Sequence, residues 1–507
     1  MVSASWLMAC AEVITVKYGE GEAIIGGDAV ENVKISVKGN RVSIKDQRDA
    51  EKKLSLLTYV LSGQTDDGQF KLNSYAKAKV RLNGLSLTSQ EGAAMHLKNK
   101  KDIELEVADG TFNRICIAAC LDTLNNKQAA IWAKQSVNFS GKGTLAVEAL
   151  GNGCKGINCK GDINIRNLTL QVVTKGDNLG VDTTRRMGPP DGEFPGQQNG
   201  MQGAPMGFPG QQNGMQGPPM GFPGQQNGMQ GPPMGFTGQQ NGMQGPPMGD
   251  MGGGMPGGKQ KYISTCKGIK AKGKLTILSG TVSVETNSNG AEGIEGKEGV
   301  TISGGKVSVN AVDDGINSGG KIIFAGGETT VVSTTNDAVD SNDGESKGGF
   351  PFMHEGAEQE PMGQNSTAHD EKETEPAIII RGGTVYAWSR RGAPEEGLDC
   401  DFAPIEVSGG TVFSIGAGMG DMPSVPTNKT AKQPTVLAIG LNFTEGETVS
   451  IQDRKGKTLM AFPAPFDFQR SSSLISCPAF RVGETYTVVC GQESKSMELT
   501  DKFTIIR

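Results

Sequence analysis

A short repeat with glycine at its corners occupies residues 299–340 and restricts the fold more than any other feature of the chain. Two strand-like runs, 300–303 and 307–310, flank a Gly-Gly turn and are followed by the acidic corner 313–315 and a third run, 316–318. Apolar and polar residues alternate in the first two runs, which is typical of strands with one buried face. The same order then begins again. Because such short strands cannot bury their apolar face alone, successive coils must stack on one another.

The acidic corner can be used to align the other coils of the chain. We define the marker of each coil as the apolar residue that follows the small residue at this corner. The markers are Met95, Ile131, Ile157, Val181, Ile269, Ile294, Ile316, Val339, Leu398 and Ile439. Five of the nine intervals lie between 22 and 26 residues, and the two largest shrink to roughly one coil when an insertion is removed from each. The spacing predicts an all-β chain, a right-handed parallel β-helix solenoid with about three strands per coil.

The repeat also predicts the domain organisation. Its segments are 1–10 (truncated signal), 11–60 (N-terminal β cap), 61–184 (first half of the β-helix), 185–258 (low-complexity insert), 259–344 (second half), 345–374 (polar insert), 375–440 (last coils) and 441–507 (C-terminal β cap). The low-complexity insert contains four near copies of FPGQQNGMQGPPMG, and this composition predicts a disordered loop. A spacer and a tract for self-association are both open interpretations.

The N-terminus indicates where the protein is located in the cell. Residues 2–9 are apolar but too short for a full secretory segment, and they end in Leu-Met-Ala-Cys. This ending resembles a bacterial lipoprotein signal, in which Cys10 is lipidated, so we expect a secreted or cell-surface lipoprotein. A chance apolar start is the alternative. The chain has no run of 18 apolar residues that predicts a transmembrane segment.

Cysteine spacing and charge exclude several classes of partner. The eight cysteines after Cys10 show no CxxC spacing, so scattered thiols and disulfides both remain open. With 49 basic against 55 acidic residues, the net charge is −6. This balance argues against nucleic acid as a partner.

Carboxylates cluster at the corners of four adjacent coils, two residues before and one residue after the marker. They are Glu292, Glu295, Asp314, Asp337, Asp340, Glu396 and Asp399. Like charges at the strand spacing repel by about 3.5 kcal/mol at an effective dielectric constant of 20. Clustered carboxylate and amide oxygens suit calcium, so the sequence predicts a calcium site. Further ligands are expected from Asp313, Asn317, Asn336, Asn342 and Asp343.

Two conditions limit the calcium prediction. The positions before and after the marker share one face only if the chain kinks between them, which Gly293, Gly315 and Gly397 make plausible. The alternative is a solvated acidic edge that keeps the protein soluble.

Three stretches resemble a known family. They are YVLSGQTDDGQFKLNSYAKAKVRLNGLSLTSQEGAAMHLKN, AAIWAKQSVNFSGKGTLAVEALGNGCKGINCKGDINI and DDGINSGGKIIF. They resemble the bacterial carbohydrate-binding domain family of secreted β-helix proteins, over about residues 30–184, 259–344 and 375–490. The resemblance implies calcium as cofactor and a polysaccharide, pectic acid (polygalacturonate) or cellulose, as partner.

Candidate sugar contacts lie near the acidic corners. Tyr386 and Trp388 alternate with inward residues, and Phe413 aligns with Tyr386 one coil later. We expect these aromatic faces either to stack on sugar rings or to be covered by the C-terminal segment. Lys267 and Lys270 are candidates for contacts with sugar carboxylates or with the neighbouring acids.

Three functions compete at this point. A non-catalytic surface protein that binds acidic polysaccharide through calcium is the hypothesis that the resemblance favours. A pectate-type polysaccharide lyase needs a lysine or arginine base with a lowered pKa, whereas nearby carboxylates are expected to raise the pKa of Lys267 and Lys270. A structural surface adhesin is the third candidate, because the fold alone does not choose among them.

Overall fold

The computed structural model describes residues 12–48, 56–119, 128–181, 262–343, 375–400, 403–418 and 424–507. The predicted lipidation residue Cys10, the low-complexity insert and the polar insert lie outside these ranges. In the described residues, all regular structure is β-strand except for one 3₁₀ turn, Val30–Asn32. No helix in these ranges is long and apolar enough to cross a membrane. The all-β prediction is confirmed.

Each coil contributes one strand to each of three parallel ladders. The coil Glu292–Gly296, Val300–Ile302, Lys306–Ala311 pairs strand by strand with Ile316–Ser318, Ile322–Phe324, Glu328–Ser333. We name the three sets the marker ladder, the short-strand ladder and the long-strand ladder. Alternation determines the pairing register, because a slip of one residue would turn every apolar side chain outward.

The bounds of the strands follow this order. The marker ladder has eleven strands, Lys34–Lys38, Arg41–Asp46, Gln69–Ser74, Met95–Leu97, Ala129–Ala133, Lys155–Cys159, Lys267–Ala271, Glu292–Gly296, Ile316–Ser318, Val339–Ser341 and Leu398–Asp399. The short-strand ladder has Ile103–Val107, Val137–Gly141, Ile163–Ile165, Leu275–Ile277, Val300–Ile302, Ile322–Phe324, Ile378–Ile380 and Ile405–Val407. The long-strand ladder has Phe112–Ile117, Thr144–Ala149, Thr169–Thr174, Thr281–Thr286, Lys306–Ala311, Glu328–Ser333, Thr384–Ser389 and Thr411–Ile415.

The Gly-Gly turns between short and long strands have a steric cause. Gly305, Gly327, Gly383 and Gly410 all adopt φ between +78° and +85°. A Cβ at each would lie 2.4–2.7 Å from the carbonyl oxygen of the glycine one coil earlier. Only glycine accepts both the positive φ and this close approach, so the turns stack as tightly as the strands.

The marker register is confirmed for eight of its ten positions. Met95, Ile131, Ile157, Ile269, Ile294, Ile316, Val339 and Leu398 pair in succession. Val181 is wrong, because Ile157 pairs directly with Ile269 and Val181 lies in a separate antiparallel pair, Leu179–Val181 with Tyr262–Ser264. Ile439 is also wrong, since it lies in an antiparallel strand, Thr435–Phe443.

The predicted N-terminal cap is part of the stack. The hairpin Lys34–Lys38 and Arg41–Asp46 pairs in parallel with Gln69–Ser74, and Val42 and Ile44 are buried in the same core as the later coils. Two further strands, Val13–Tyr18 (which also pairs with Ile24–Gly26) and Leu57–Thr65, lead to Ala78–Ser89, which pairs with both the short-strand and long-strand ladders. The expected boundary at residue 60 therefore falls inside a strand.

The C-terminal segment closes the other end with antiparallel strands. Phe468–Ser476 pairs with Thr411–Ile415 and with Thr435–Phe443, which also pairs with Phe503–Ile506. A separate four-stranded sheet contains Thr448–Asp453, Thr458–Pro463, Thr485–Cys490 and Glu493–Glu498. The expected boundary at residue 441 falls inside Thr435–Phe443.

Both open interpretations of the cysteines apply to the described chain. Cys154 is disulfide-bonded. Cys116, Cys159, Cys266, Cys400, Cys477 and Cys490 are buried thiols that belong to no disulfide.

Candidate cation and carbohydrate site

The outward face of the marker ladder carries the predicted site, and a kink at its corner creates that face. A Cβ at Gly315 would lie 2.1 Å from a γ-methyl of Val331, so this position points into the core. Asp314 and Asn317, on either side of the kink, both point outward, and the Asn317 Nδ2 donates to Asp314 Oδ2 at 2.8 Å. Positions two before and one after the marker therefore share one face, as the sequence predicts.

The first acidic cluster surrounds Asp314. Oxygens of Glu292, Asp313 and Asp314 all lie within 4.8 Å of one another. Asp314 is 2% exposed. Its two oxygens accept hydrogen bonds from Asn336 at 2.5 Å and from Asn317 at 2.8 Å.

Two features leave this cluster open to a cation. Asn317 also donates to Asp340 Oδ2 at 3.1 Å, which brings a further carboxylate to the edge of the cluster. The Oε1 of Glu292 contacts Lys267 at 2.6 Å, whereas its Oε2 is buried without a hydrogen-bond partner in the described chain. Asn342, one coil further, donates to the same Asp340 oxygen.

The second acidic cluster lies against the start of the C-terminal segment. Asp337 accepts the backbone N–H of Glu396 at 2.5 Å. Ser424 joins the remaining members, since its N–H donates to Glu396 Oε2 at 2.8 Å and its hydroxyl to Asp399 Oδ1 at 3.0 Å. Asp337 and Glu396 are buried. Asp343 lies past the end of Val339–Ser341, at the border of the described range.

Burial and like charge act together on the two central carboxyls. Burial raises the pKa of Asp314 well above its usual range, and the neighbouring Asp340, Asp313 and Glu292 raise it further. Burial also raises the pKa of Asp337 to about 10, with Asp399 adding to the shift against the hydrogen bond from Glu396. Burial and like charge thus favour the protonated form of both acids, whereas a bound cation would favour the charged form.

Glu295 does not belong to the acidic clusters, which corrects the predicted calcium set. Its carboxylate contacts Lys267 at 2.9 Å, Lys270 at 2.5 Å and Lys297 at 2.6 Å. Burial would raise the pKa of Glu295, but the charges of Lys267 and Lys270 outweigh it and lower that pKa to about 2. With three ammonium groups around it, this carboxylate is already neutralised.

The same contacts change the predicted roles of the two lysines. Lys267 is 8% exposed at its side chain and bridges Glu292 and Glu295, whose charges raise its pKa against the effect of burial. For Lys270 the expected direction is wrong, because burial and the charge of Lys267 lower its pKa despite the contact with Glu295. Both lysines are engaged with acids of the same ladder.

The aromatic group predicted to stack on sugars is covered by the C-terminal segment. The register of Tyr386 with Phe413 is as expected. However, Phe413 is fully buried and Trp388 is 6% exposed. Phe462 packs on Tyr386, Trp388 and Phe413 with ring centroids 4.9, 5.5 and 4.6 Å away. This group anchors the C-terminal segment to the last coils, and of the three predicted aromatic residues only Tyr386 stays partly exposed.

Insertions into the repeat border the marker ladder. Residues 120–127 precede Ala129–Ala133, 182–261 precede Lys267–Ala271, and 344–374 follow Val339–Ser341. In contrast, three residues separate the short strand from the long strand in each coil from Ile163 to Ile415. Repeat proteins tend to concentrate insertions on their binding face, so this asymmetry favours the marker ladder as that face.

Two residues of the site escaped the sequence reasoning. Ser424 belongs to no coil, so only the return of the chain brings it to the second cluster. Lys297 lies three residues after its marker, and a comparison of this position between coils would have identified it.

Three comparisons with known proteins place the chain in a family. A solved structure, the gadolinium derivative of a polysaccharide lyase-like protein from C. thermocellum, aligns over 82% of this chain and 100% of that chain, with 13% identity and a TM-score of 0.33. A carbohydrate-binding domain-containing protein of Acetivibrio thermocellus is 29% identical over 113 residues, which span 21% of this chain and 39% of the relative. The model of the same family matches residues 38–194 and 269–393, more than half of the chain. On this match, the chain belongs to the family of carbohydrate-binding domain-containing proteins.

Proposed function

We propose that this protein binds acidic polysaccharide at the bacterial cell surface, without cleaving it, through calcium held by the first acidic cluster. The strands follow a parallel β-helix path, with the marker ladder as the binding face. Polygalacturonate is the favoured polymer, because its carboxylates can share a cation with protein carboxylates, whereas cellulose carries none.

The observation that carries the proposal is the grouping of Glu292, Asp313 and Asp314 within 4.8 Å. Asp314 is buried, while Glu292 and Asp313 are partly exposed, so the group joins a buried carboxyl to the surface. The cost of placing these charges together is removed when a cation binds.

The donor set suits calcium better than other metals. Carboxylate oxygens of Asp313, Asp314 and Glu292, with the side-chain oxygens of Asn317 and Asn336 after rotation of their amides, can form part of a shell of six to eight oxygens. No histidine or thiolate belongs to this group, which disfavours zinc. When bound, calcium supplies a positive charge that protein and sugar carboxylates share. The second cluster, closed by Ser424, is a site for a structural ion.

The cellular address is part of the proposal. Cys10 as a lipid anchor would hold the protein at the envelope, where polysaccharide is accessible. The disulfide at Cys154 fits an oxidising compartment.

A pectate-type lyase is the second candidate, and one observation favours it. The pKa of Lys270 is lowered, by burial and by Lys267, which is the direction that a general base needs. Against this role, its ammonium lies 2.5 Å from Glu295, which holds the proton in place.

The test is binding of polygalacturonate and of cellulose in calcium and in chelator. We expect calcium to strengthen the binding of polygalacturonate, and we expect this increase to be lost in Asp313→Asn/Asp314→Asn. A matched control exists in the same chain, because Asp66 and Asp67 also precede a glycine but are exposed. Asp66→Asn/Asp67→Asn should bind as the native protein does. Equal binding in calcium and chelator would reject the proposal.

Absorbance of unsaturated uronate product separates the two candidates. We expect none over long incubation with calcium. Product that appears with the native protein and disappears in Lys270→Ala would put the lyase first.

A further inference from the structure

Five lysines occupy the same position in five consecutive coils, three residues after each marker. They are Lys98, Lys134, Lys160, Lys272 and Lys297, and we call them the lysine ladder. The first acidic cluster begins with Glu292, in the coil of Lys297, and the acidic clusters continue in the coils that follow.

Backbone hydrogen bonds fix this alignment. The N–H of Lys134 donates to the carbonyl of Leu97, the residue before Lys98, at 2.9 Å. The same contact recurs from Lys160 to Ala133, from Lys272 to Cys159 and from Lys297 to Ala271, at 2.9–3.1 Å. The backbone of each lysine therefore lies about 4.8 Å from the backbone of the next lysine, which is the spacing of strands in a sheet.

The three middle lysines of the ladder have little internal neutralisation. No salt bridge joins Lys134, Lys160 or Lys272 to a carboxylate in the described part of the chain. Lys134 and Lys272 are exposed. Burial and the adjacent charge of Lys272 lower the pKa of Lys160. Cations stacked at this distance repel one another, and an anion lying along the row would relieve that repulsion.

We propose that the lysine ladder binds the carboxylates of a linear acidic polysaccharide that runs along the stack of coils, as a calcium-independent extension of the site described above. This inference rests on the proposed function, because it takes the same polymer as ligand.

Three observations favour a carboxylated glycan over other polyanions. The lysines form a single row, which matches a polymer with one charge per unit, and a hexuronate unit is comparable in length to the strand spacing. The row ends at Lys297, whose ammonium contacts Glu295 at 2.6 Å, so a polymer on the row passes directly to the coils that carry the acidic clusters. The net charge of −6 disfavours nucleic acid.

The test uses the full chain, polygalacturonate and a chelator at low ionic strength. The variant Lys134→Gln/Lys160→Gln/Lys272→Gln should bind the polymer about tenfold more weakly than the native protein, as expected for the loss of three ion pairs at the protein surface. The native binding in chelator should weaken with added salt, because exposed charges are screened. Replacement of the same lysines by arginine should retain binding.

Two control measurements separate the effect of the lysine ladder from effects on folding and on calcium binding. Lys455→Gln/Lys457→Gln/Lys502→Gln removes the same charge from exposed positions in the C-terminal segment, outside the marker ladder, and should bind as the native protein does. The calcium affinity of the ladder variant, measured without polymer, should be unchanged.

Several results would overturn the ladder proposal. They are native-like binding by the glutamine variant in chelator, an equal loss in the control variant, or comparable affinity for a DNA fragment. A failure of the proposed function would show as a different result: calcium would not increase the binding of polygalacturonate by the native protein. The measurement in chelator would still test the lysine ladder in that case.

Discussion

Two neighbouring corners of the marker ladder differ in how their buried charges are balanced. At the corner of Glu295, three ammonium groups within 2.9 Å neutralise one carboxylate. One coil later, Asp314 has amide donors and further carboxylates around it, and within the described residues it forms no ion pair. The backbone path is the same in both coils. The difference teaches that the ladder sets the spacing of charges, while the residues of adjacent coils decide whether the protein or a ligand balances them.

Removing the acid at the neutralised corner should have the largest effect. We expect Glu295→Gln to lower the free energy of unfolding by about 3 to 5 kcal/mol, because Lys267 and Lys270 would remain buried without their shared counter-charge. Urea denaturation measures this change. The exposed Glu298→Gln, three residues later, is the control and should change stability by less than about 0.5 kcal/mol. Equal stabilities of the two variants would show that this corner is not a buried ion cluster.

The unbalanced corner should respond to calcium. A hundredfold excess over the dissociation constant should stabilise the native protein by about 2.7 kcal/mol, because the ion binds only the folded state. Asp314→Ala with Asp337→Ala should abolish this shift in melting temperature. Glu295→Gln should keep a calcium shift, since its acid lies outside the first cluster. Melting curves that coincide in calcium and chelator would contradict the cation site.

The corner of Asp337 and the corner of Glu295 should differ in how their contribution to stability depends on pH. Asp337 has a pKa of about 10 in the folded protein and an ordinary value of 3.8. Between these values the folded state binds the additional proton, so stability in chelator should fall as pH rises, by about 1.4 kcal/mol per pH unit. Glu295, with its pKa lowered to about 2, contributes stability that is lost only as pH falls below its ordinary value of 4.5. Unfolding across this pH range is the measurement, and Asp337→Asn should show a smaller slope, because Asp314 keeps its raised pKa.

The smallest effect is expected from the low-complexity insert. The strands Leu179–Val181 and Tyr262–Ser264, which flank it in the sequence, pair antiparallel with each other. Deleting residues 208–235, two of the four near copies, should raise stability by about 0.4 kcal/mol, because loop closure depends only logarithmically on length. Thermal unfolding tests this. A clear loss of stability would mean that the copies pack against the coils.

The register of the coils was predictable because it depends on local rules. Alternation, Gly-Gly turns and a period of 22 to 26 residues placed eight markers correctly. The two errors, Val181 and Ile439, both occur where the chain leaves the repeat, and an antiparallel strand has the same alternation as a parallel one. Periodicity alone does not distinguish them.

The environment of each side chain required the tertiary structure. The tripeptide Asp-Asp-Gly occurs at residues 66–68 and 313–315. In the first copy Asp67 is exposed and contacts Arg41 at 3.0 Å, whereas in the second Asp314 is buried among acids. Likewise, the alternation of Tyr386 and Trp388 is visible in the sequence, but Phe462, distant along the chain, covers them. The sequence by itself determined the coil period, the kinked corner and the residue types on its face, because these depend on neighbours within one coil. Only the tertiary structure decided which charges are balanced and which faces are covered, because those depend on residues that other coils and the returning C-terminal segment bring into contact.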